Sequence, residues 1–393
     1  MNKFVLAILF VFSFQVFALD TGTGADGPCV DVDLGDAVAV SALNCSSLTI
    51  TGNKDIAPNG GAIVKIKVTG DVIINGALCV NASASLRDGA DGGGPNGPGG
   101  AGGPAAGAGG YGGSGANGGT GVGIGAGGGG GLGSGVMGYG TGGGGGGGRY
   151  SDTALPTDGV AGDDENDGID SAGTAGVAGA ASYGSQITFT TTISGGSGGG
   201  GGGSGDAGGA FSVGAGGGGG GGVIWIIAGG DITVAGSIEA IGGNGGNAAS
   251  FGGGGAGGSG GAVFLQAEGN IFVELGGSVI ATGGNGGIGS QDAATPPNDG
   301  DGGDGGDGRI RIDDVDGAWS GGGTVNPAPY QAVVAGGAVS SSETVVQIDS
   351  KIKSACGSIA IADDERNDFI FSLMIGVLSL SFLFTFIRKF RFS

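Results

Sequence analysis

The residues of this chain best suited to chemistry are carboxylates on two glycine-rich stretches, because hard oxygen ligands on such loops suit Ca²⁺. The first stretch reads GDDENDGID and carries Asp163, Glu165 and Asp167 at alternate positions. It departs from the Ca²⁺-loop pattern at Thr174, where that pattern has a bidentate Glu. A solvated acidic loop is therefore the favoured interpretation, and a weak calcium site is the alternative.

The second acidic stretch places Asp301, Asp304 and Asp307 at every third residue of the run NDGDGGDGGDG. It is similar to the Ca²⁺-binding nonapeptide repeats of parallel β-rolls, which implies a metal-bound turn. Arg309 stands where that repeat has an apolar residue, and no tandem copies follow. The same two interpretations apply here, and the solvated loop is again favoured.

The composition excludes most other chemistry. The chain has 393 residues, of which 108 are glycine, and no histidine, so catalytic triads built on His and His metal ligands are ruled out. Asp and Glu outnumber Lys and Arg by 35 to 14, and the resulting net charge of −21 repels nucleic-acid phosphates. We therefore expect a protein that is not an enzyme, does not bind nucleic acid and uses no cofactor beyond the weak calcium candidates.

Both ends of the chain carry apolar segments that predict export and anchoring. Residues 1–18 combine Lys3, an apolar run and a terminal small residue, which is typical of a secretory signal peptide. Residues 369–387 carry no charge and are long enough to span a bilayer. The basic segment 388–393 that follows places the C-terminus in the cytoplasm. The prediction is an exported cell-surface protein held by a single transmembrane helix.

The tail also contains Cys356, in the sequence Ser-Ala-Cys-Gly, 13 residues before the apolar run. It resembles bacterial C-terminal sorting signals built from a short motif, a hydrophobic helix and a basic cluster, including a myxobacterial-type group whose motif centres on Cys-Gly. The resemblance implies processing at Cys356 and transfer of the body to the outer surface. A plain single-pass anchor is the alternative.

The cysteines fit an oxidising compartment outside the cytoplasm. Cys29, Cys45 and Cys79 cluster near the N-terminus and show no CxxC spacing that would suggest a metal site. We predict a structural disulfide between Cys29 and Cys45. A bridge from Cys79 to one of them is the alternative.

A repeated unit of short strands recurs along the body. Copies begin at Gly61, Gly222 and Gly261, and each contains a strand, a Gly-Asp or Gly-Asn turn and two shorter strands. Apolar residues alternate within the short strands, as at Val72 and Ile74. Such strands bury their apolar face only when units stack, which predicts a mainly β fold of β-solenoid-like repeats. Hairpins in a conventional sandwich are the alternative.

The glycine-rich tracts, within residues 92–150 and 195–262, admit two interpretations. Glycine has no side chain to bury and loses more backbone entropy on ordering than any other residue, which favours flexible linkers. Bare backbones can instead pack closely as bundles of extended threefold helices that hydrogen-bond to one another. Collagen is excluded, because no strict third-residue glycine register runs through the tracts.

Units such as GGAVFLQAEGNIFVELGGSVIATGGNGG, alternating with glycine runs, resemble the glycine-rich repeat proteins of bacterial surfaces and glycine-rich adhesin tips. The likeness is one of architecture and composition, between residues 60 and 320. It implies surface adhesion or a structural coat, without catalysis, and a cell-surface or extracellular polysaccharide or protein as partner. It assigns no binding residues.

These observations divide the chain into seven parts. They are a signal peptide (1–18), an N-terminal disulfide-supported β cap (19–90), a glycine-rich low-complexity segment (91–185), a glycine-rich β repeat region (186–320), a stalk or linker (321–368), the transmembrane helix (369–387) and the basic cytoplasmic tail (388–393).

The predicted function is that of an exported, surface-anchored, glycine-rich structural or adhesive protein. The alternative is a β-helical protein that binds or cleaves polysaccharide. Cleavage would need charged residues clustered on one face of the repeats. Asp71, Asp231 and Asn270 instead stand at separate turns.

Overall fold

The structure, a computed structural model, is mainly β. It describes residues 19–30, 43–56, 63–80, 99–100, 102, 105–114, 116–123, 126–132, 139–140, 148, 155–161, 173–180, 193–207, 211–248, 251–289, 300–334, 354–355 and 358–359. No helix occurs within these ranges. The expectation of a mainly β fold built from short strands is therefore confirmed.

Three parallel sheets of short strands lie in the first compact unit, residues 1–337. Sheet A contains, in spatial order, β1 (Pro28–Val30), β3 (Ser47–Ile50), β6 (Val72–Ile74), β12 (Ile232–Val234) and β15 (Ile271–Val273). Sheet B contains β2 (Leu43–Cys45), β5 (Val64–Val68), β11 (Val223–Ala228), β14 (Ala262–Ala267), β17 (Arg309–Asp314) and β19 (Tyr330–Val333). Sheet C contains β4 (Lys54–Asp55), β7 (Ala77–Cys79), β13 (Ser237–Glu239), β16 (Ser278–Ile280) and β18 (Thr324–Asn326).

Two smaller sheets are antiparallel. In the first unit, β8 (Tyr139–Gly140) and β10 (Phe211–Ser212) pair with opposite edges of β9 (Gly205–Ala207). The second compact unit, residues 338–393, contains the pair β20 (Ser354–Ala355) and β21 (Ser358–Ile359).

The chain visits the three large sheets in the fixed order B, A, C, and we call one such passage a coil. The units that begin at Gly61, Gly222 and Gly261 correspond to the coils β5–β6–β7, β11–β12–β13 and β14–β15–β16. Equivalent residues of successive coils pair in register, so Val72, Ile232 and Ile271 align across sheet A. Each coil therefore adds one strand to every sheet and covers the apolar residues of the coil before it.

The apolar core lies between the three sheets. Its residues alternate along the strands, and Ile226, Ile232 and Ile238 supply it from sheets B, A and C of the same coil. All three side chains are fully buried. Three strands of sheet B, β11, β14 and β17, are largely buried on their outer face as well, where Val223 and Phe264 belong to a second apolar cluster.

The glycine-rich tracts join sheet C of one coil to sheet B of the next. After β13 the chain leaves as residues 241–248 and returns as 251–261, and after β16 it leaves as 281–289 and returns as 300–308. Tract 193–204 shows how such segments pair: the N–H groups of Gly196, Gly199 and Gly202 donate to the carbonyls of Gly221, Gly218 and Ala215. This three-residue period is that of an extended threefold helix.

Tract 251–261 is hydrogen-bonded to neighbours on every side. Among the described residues, its six partners are residue 148 and the tracts 193–204, 213–222, 241–248, 281–289 and 300–308. A Cβ added at Gly254, Gly257 or Gly260 would lie less than 3.0 Å from a carbonyl of tract 281–289, and none of the three has a left-handed φ. Glycine is therefore required here by the close approach of backbones. We call the assembled tracts the glycine bundle.

Candidate binding surfaces

The carboxylates of the second acidic stretch lie at the edge of the glycine bundle, where they accept hydrogen bonds from backbone N–H groups. The N–H groups of Gly289, Gly286 and Gly283 donate to Oδ1 of Asp301, Asp304 and Asp307 at 2.7, 2.8 and 3.2 Å. These hydrogen bonds join tract 300–308 to tract 281–289, and a metal ion would have to compete with them. Across the described ranges, no three acidic or cysteine side chains come together in a way that could hold a metal ion.

Asparagine side chains complete the same pattern on the other side of tract 281–289. Asn244 and Asn247 accept the N–H groups of Asn285 and Ile288 through Oδ1 at 2.9 and 2.8 Å. The N–H groups of Gly284 and Gly287 donate to backbone carbonyls of tract 251–261. All seven consecutive N–H groups from 283 to 289 thus have an acceptor, five of them on side chains.

The sequence signal for this arrangement is the spacing of Asn and Asp three residues apart with two glycines between, as in GGNGGN and DGGDGGDG. A threefold helix presents every third side chain on one side. An amide or carboxylate at that spacing faces the same neighbouring tract each time. This spacing of the aspartates led to the calcium hypothesis, and its match to the period of a threefold helix was missed.

Asp71, Asp231 and Asn270 occupy the same turn, between sheet B and sheet A, on three successive coils. Asp71 Oδ1 accepts the N–H of Asp231 at 3.0 Å, and Asp231 Oδ1 accepts the N–H of Asn270 at 2.7 Å. They are therefore a hydrogen-bonded ladder along the stack and do not act as separate turn residues. The ladder links neighbouring coils through their backbones.

The outer face of sheet B carries a row of cations and aromatic rings, one residue from each of five of its six strands: Lys65, Trp225, Phe264, Arg311 and Tyr330. Lys65 Nζ lies 3.6 Å from the Trp225 ring centre, and the Trp225 and Phe264 rings stack at 5.2 Å. Arg311 Cζ lies 5.2 Å from the Phe264 ring and 5.3 Å from the Tyr330 ring. Both faces of Trp225 are thus occupied, so this indole does not offer a stacking face to a sugar.

Polar groups beside this row bind one another. Trp225 Nε1 donates to Gln266 Oε1 at 2.8 Å, Gln266 Nε2 donates to Asp313 Oδ2 at 3.2 Å, and Arg311 Nε donates to Asp313 Oδ1 at 2.8 Å. Burial raises the pKa of Asp313 above its usual value, against the opposing effect of Arg311 and Gln266. Burial also lowers the pKa of Lys65, and the charge of Lys67 lowers it further. These cross-strand contacts hold the strands in register, and the polar side chains that make them hydrogen-bond to one another.

The outer face of sheet A is different, because its central row contains exposed apolar side chains. Val30, Thr49, Ile73, Thr233 and Phe272 align across the five strands, and we call this row the ridge. Val30, Ile73 and Phe272 are 46%, 39% and 37% exposed. The ridge is therefore a surface on which a partner could bury apolar area.

Cys29 and Cys45 form a disulfide with Cα atoms 5.6 Å apart, which ties β1 of sheet A to β2 of sheet B at one end of the stack. Cys79 lies outside that bond, with Sγ 3.6 Å from Glu239 Oε2 on the next coil. The bridge predicted from the sequence is thus the one present, and the alternative involving Cys79 is not.

Several predicted features lie outside the described residues. They are the signal peptide 1–18, the acidic stretch with Asp163, Glu165 and Asp167, the processing residue Cys356 and the apolar segment 369–387. In the part of the chain that the structure describes, no helix has the length and apolar character needed to cross a membrane.

Comparisons of the chain with protein-family models, with curated proteins and with solved structures found no match. The function is therefore inferred from the geometry and chemistry of the chain itself.

Proposed function

We propose that the protein is an exported, surface-anchored, glycine-rich structural or adhesive protein that performs no catalysis. The observation that carries this proposal is the hydrogen bonding of tract 251–261 to six neighbours. A bundle of this kind is stiffened by backbone contacts throughout and contributes few side chains for chemistry. A rigid body that exposes the outer faces of its sheets suits a coat component or an adhesin.

The polar side chains of the described coils and tracts support the same proposal. The aspartates and asparagines of the bundle accept backbone N–H groups, and Asp313 is held by Arg311 and Gln266. Glycoside cleavage needs two carboxylates facing one bond. Burial, Arg311 and Gln266 set the pKa of Asp313, and no second carboxylate is among these groups. Burial and the neighbouring Asp316 raise the pKa of Asp314, but Asp314 Oδ1 accepts the N–H groups of Gly317 and Ala318 and so holds a turn.

The full architecture that we propose is a three-sided β-solenoid whose coils are extended by polyglycine helices, followed by a transmembrane helix at 369–387. The signal peptide 1–18 would direct export, and the tail would hold the body at the cell surface before any processing at Cys356. A polysaccharide or protein outside the cell would be the ligand of an adhesive form, and no nucleic acid would bind.

The proposal is tested in the source cells with a strain that lacks the gene. We expect an antibody against the body to label intact wild-type cells and the deletion strain to lose surface attachment or envelope stiffness. Labelling only after cell lysis, or a deletion strain with unchanged attachment and stiffness, would contradict the proposal. Release of reducing ends from polysaccharides by the purified protein would favour the enzymatic alternative instead.

A further inference from the structure

The ridge of sheet A is continuous across the stack and lies perpendicular to the strands. Five strands about 4.8 Å apart give it a length of about 19 Å. An α-helix rises 1.5 Å per residue, so about 13 helical residues would cover the ridge from end to end. Val30, Ile73 and Phe272 alternate along it with two threonines, and an exposed apolar surface with a polar rim is typical of protein interaction sites.

A local insertion extends the ridge at one end. The turn from sheet A to sheet C has two residues in the coils of β6 and β12, Asn75-Gly76 and Ala235-Gly236, but four in the coil of β15. The two additional residues are Leu275 and Gly276, and Gly276 has a left-handed φ of 95°. Leu275 is 90% exposed, so the insertion presents a large apolar side chain to solvent three residues after Phe272. Packing within the coil does not explain this leucine.

The rows on either side of the ridge carry negative charge. Asp71 and Asp231 flank it on one side, and Glu274 flanks it on the other. The ridge and these two flanking rows contain no Lys or Arg. A second copy of the chain would bring like charges together here, and anionic polymers would be repelled.

From this charge and shape we infer that the ridge, with Leu275, binds a basic amphipathic helix of a partner protein. The apolar stripe of such a helix would cover Ile73, Phe272 and Leu275. Lysine or arginine residues on both sides of the stripe would face Asp71 and Asp231 on one edge and Glu274 on the other. This inference deepens the adhesive function proposed above, on which it rests for its biological setting.

The test uses the purified full-length chain and a synthetic 14-residue Leu/Lys peptide, sized from the ridge at about 1.5 Å per residue. Its leucines form one helical stripe with lysines on both sides. Titration calorimetry should show saturable one-to-one binding that weakens as salt is added. Phe272→Ser and Leu275→Ser should each weaken binding by about tenfold, as expected for central apolar contacts. Glu274→Gln should weaken it less and reduce the salt dependence.

The matched control is Val177→Ser, because Val177 is a 66% exposed apolar residue that lies far in sequence from the ridge and whose backbone carbonyl accepts the N–H of Gly128. This variant should bind the peptide as the wild type does, and a peptide with Glu in place of Lys should not bind. Absence of binding, or equal binding by all variants, would overturn the inference. Preferential binding of a neutral oligosaccharide at Phe272 and Leu275 would overturn it in favour of a glycan. None of these results alters the surface location or the mechanical role, which the deletion strain tests separately.

Discussion

The coils and the glycine bundle use side chains in opposite ways. In the coils, Ile226, Ile232 and Ile238 meet at the centre, and their burial removes apolar surface from water. In the bundle, tract 251–261 has almost no side chains to bury, and its neighbours approach so closely that an added methyl group at Gly257 would meet the carbonyl of Gly284. The coils are stabilised by buried side chains. The bundle is stabilised by close backbone contacts that glycine allows because it has no Cβ.

The attachment of the bundle to the coils explains how so much glycine can be ordered. Ordering glycine costs more backbone entropy than ordering other residues, and each net hydrogen bond contributes only about 1 kcal/mol. Tracts 241–248 and 251–261 are, however, attached to β13 and β14, which the coils already hold in place. The strands therefore position the ends of each pair of tracts, and the hydrogen bonds have less disorder to overcome.

The largest expected effect is on the coils. Ile226→Ala removes a fully buried side chain from the core and should lower the free energy of unfolding by about 2–5 kcal/mol. Denaturant titration followed by circular dichroism measures this change. The surface variant Val177→Ala is the control and should change the value little. A loss at Ile226 no larger than in the control would show that the side-chain core does not stabilise the coils.

In the bundle, adding a side chain should lower the free energy of unfolding, as removing a side chain does in the coils. Gly257→Ala forces a Cβ into the backbone of Gly284 and should cost about 1–3 kcal/mol by overpacking. Gly322→Ala is the matched control, since a Cβ there meets only Leu275 at 3.4 Å or more. Equal stability of the two alanine variants in the same titration would refute close packing of the tracts.

A smaller effect is expected where side chains close the edge of the bundle. Asp304→Ala removes the acceptor for the N–H of Gly286 and should cost about 0.5–1.5 kcal/mol. Asp304→Asn keeps an oxygen at that position and should retain most of the stability. If Ca²⁺ stabilised the wild type and neither variant, the aspartates would instead act as metal ligands.

The smallest effect is a pH dependence on the outer face of sheet B. Burial raises the pKa of Asp313, so at pH values between its ordinary pKa and the raised one the folded state holds more protons than the unfolded state. The free energy of unfolding should therefore fall as pH rises through this interval, and Asp313→Asn should remove that part of the slope. A slope that is the same in both proteins, measured by denaturant titration at several pH values, would contradict this assignment.

Much of the coil architecture could be predicted from the sequence, because alternation at positions such as Val72 and Ile74 is a local signal. The repeat starting points also mark real coils. Local patterns do not show which distant segments pair. For example, the acceptor for the N–H of Asp231 is Asp71, 160 residues earlier. For the aspartates at 301, 304 and 307 the sequence favoured a solvated loop over a weak calcium site. It did not reveal their hydrogen-bond donors, because these lie in another tract.

The surfaces show the same limit. Periodicity within β11 identifies a strand with two apolar faces, but only the assembled sheet shows that Trp225 stacks between Lys65 and Phe264. The ridge of sheet A likewise exists only after Ile73, Thr233 and Phe272 are brought into register from three coils.

Amide hydrogen exchange of the purified chain tests most directly whether the glycine tracts form a hydrogen-bonded bundle. The account predicts that amides of tracts 195–204 and 251–261 are protected to a degree comparable with strand β11, because most of their N–H groups have backbone acceptors. Exchange of both tracts at unprotected rates, while β11 stays protected, would contradict the account. The tracts would then be linkers between coils, and no rigid bundle would exist.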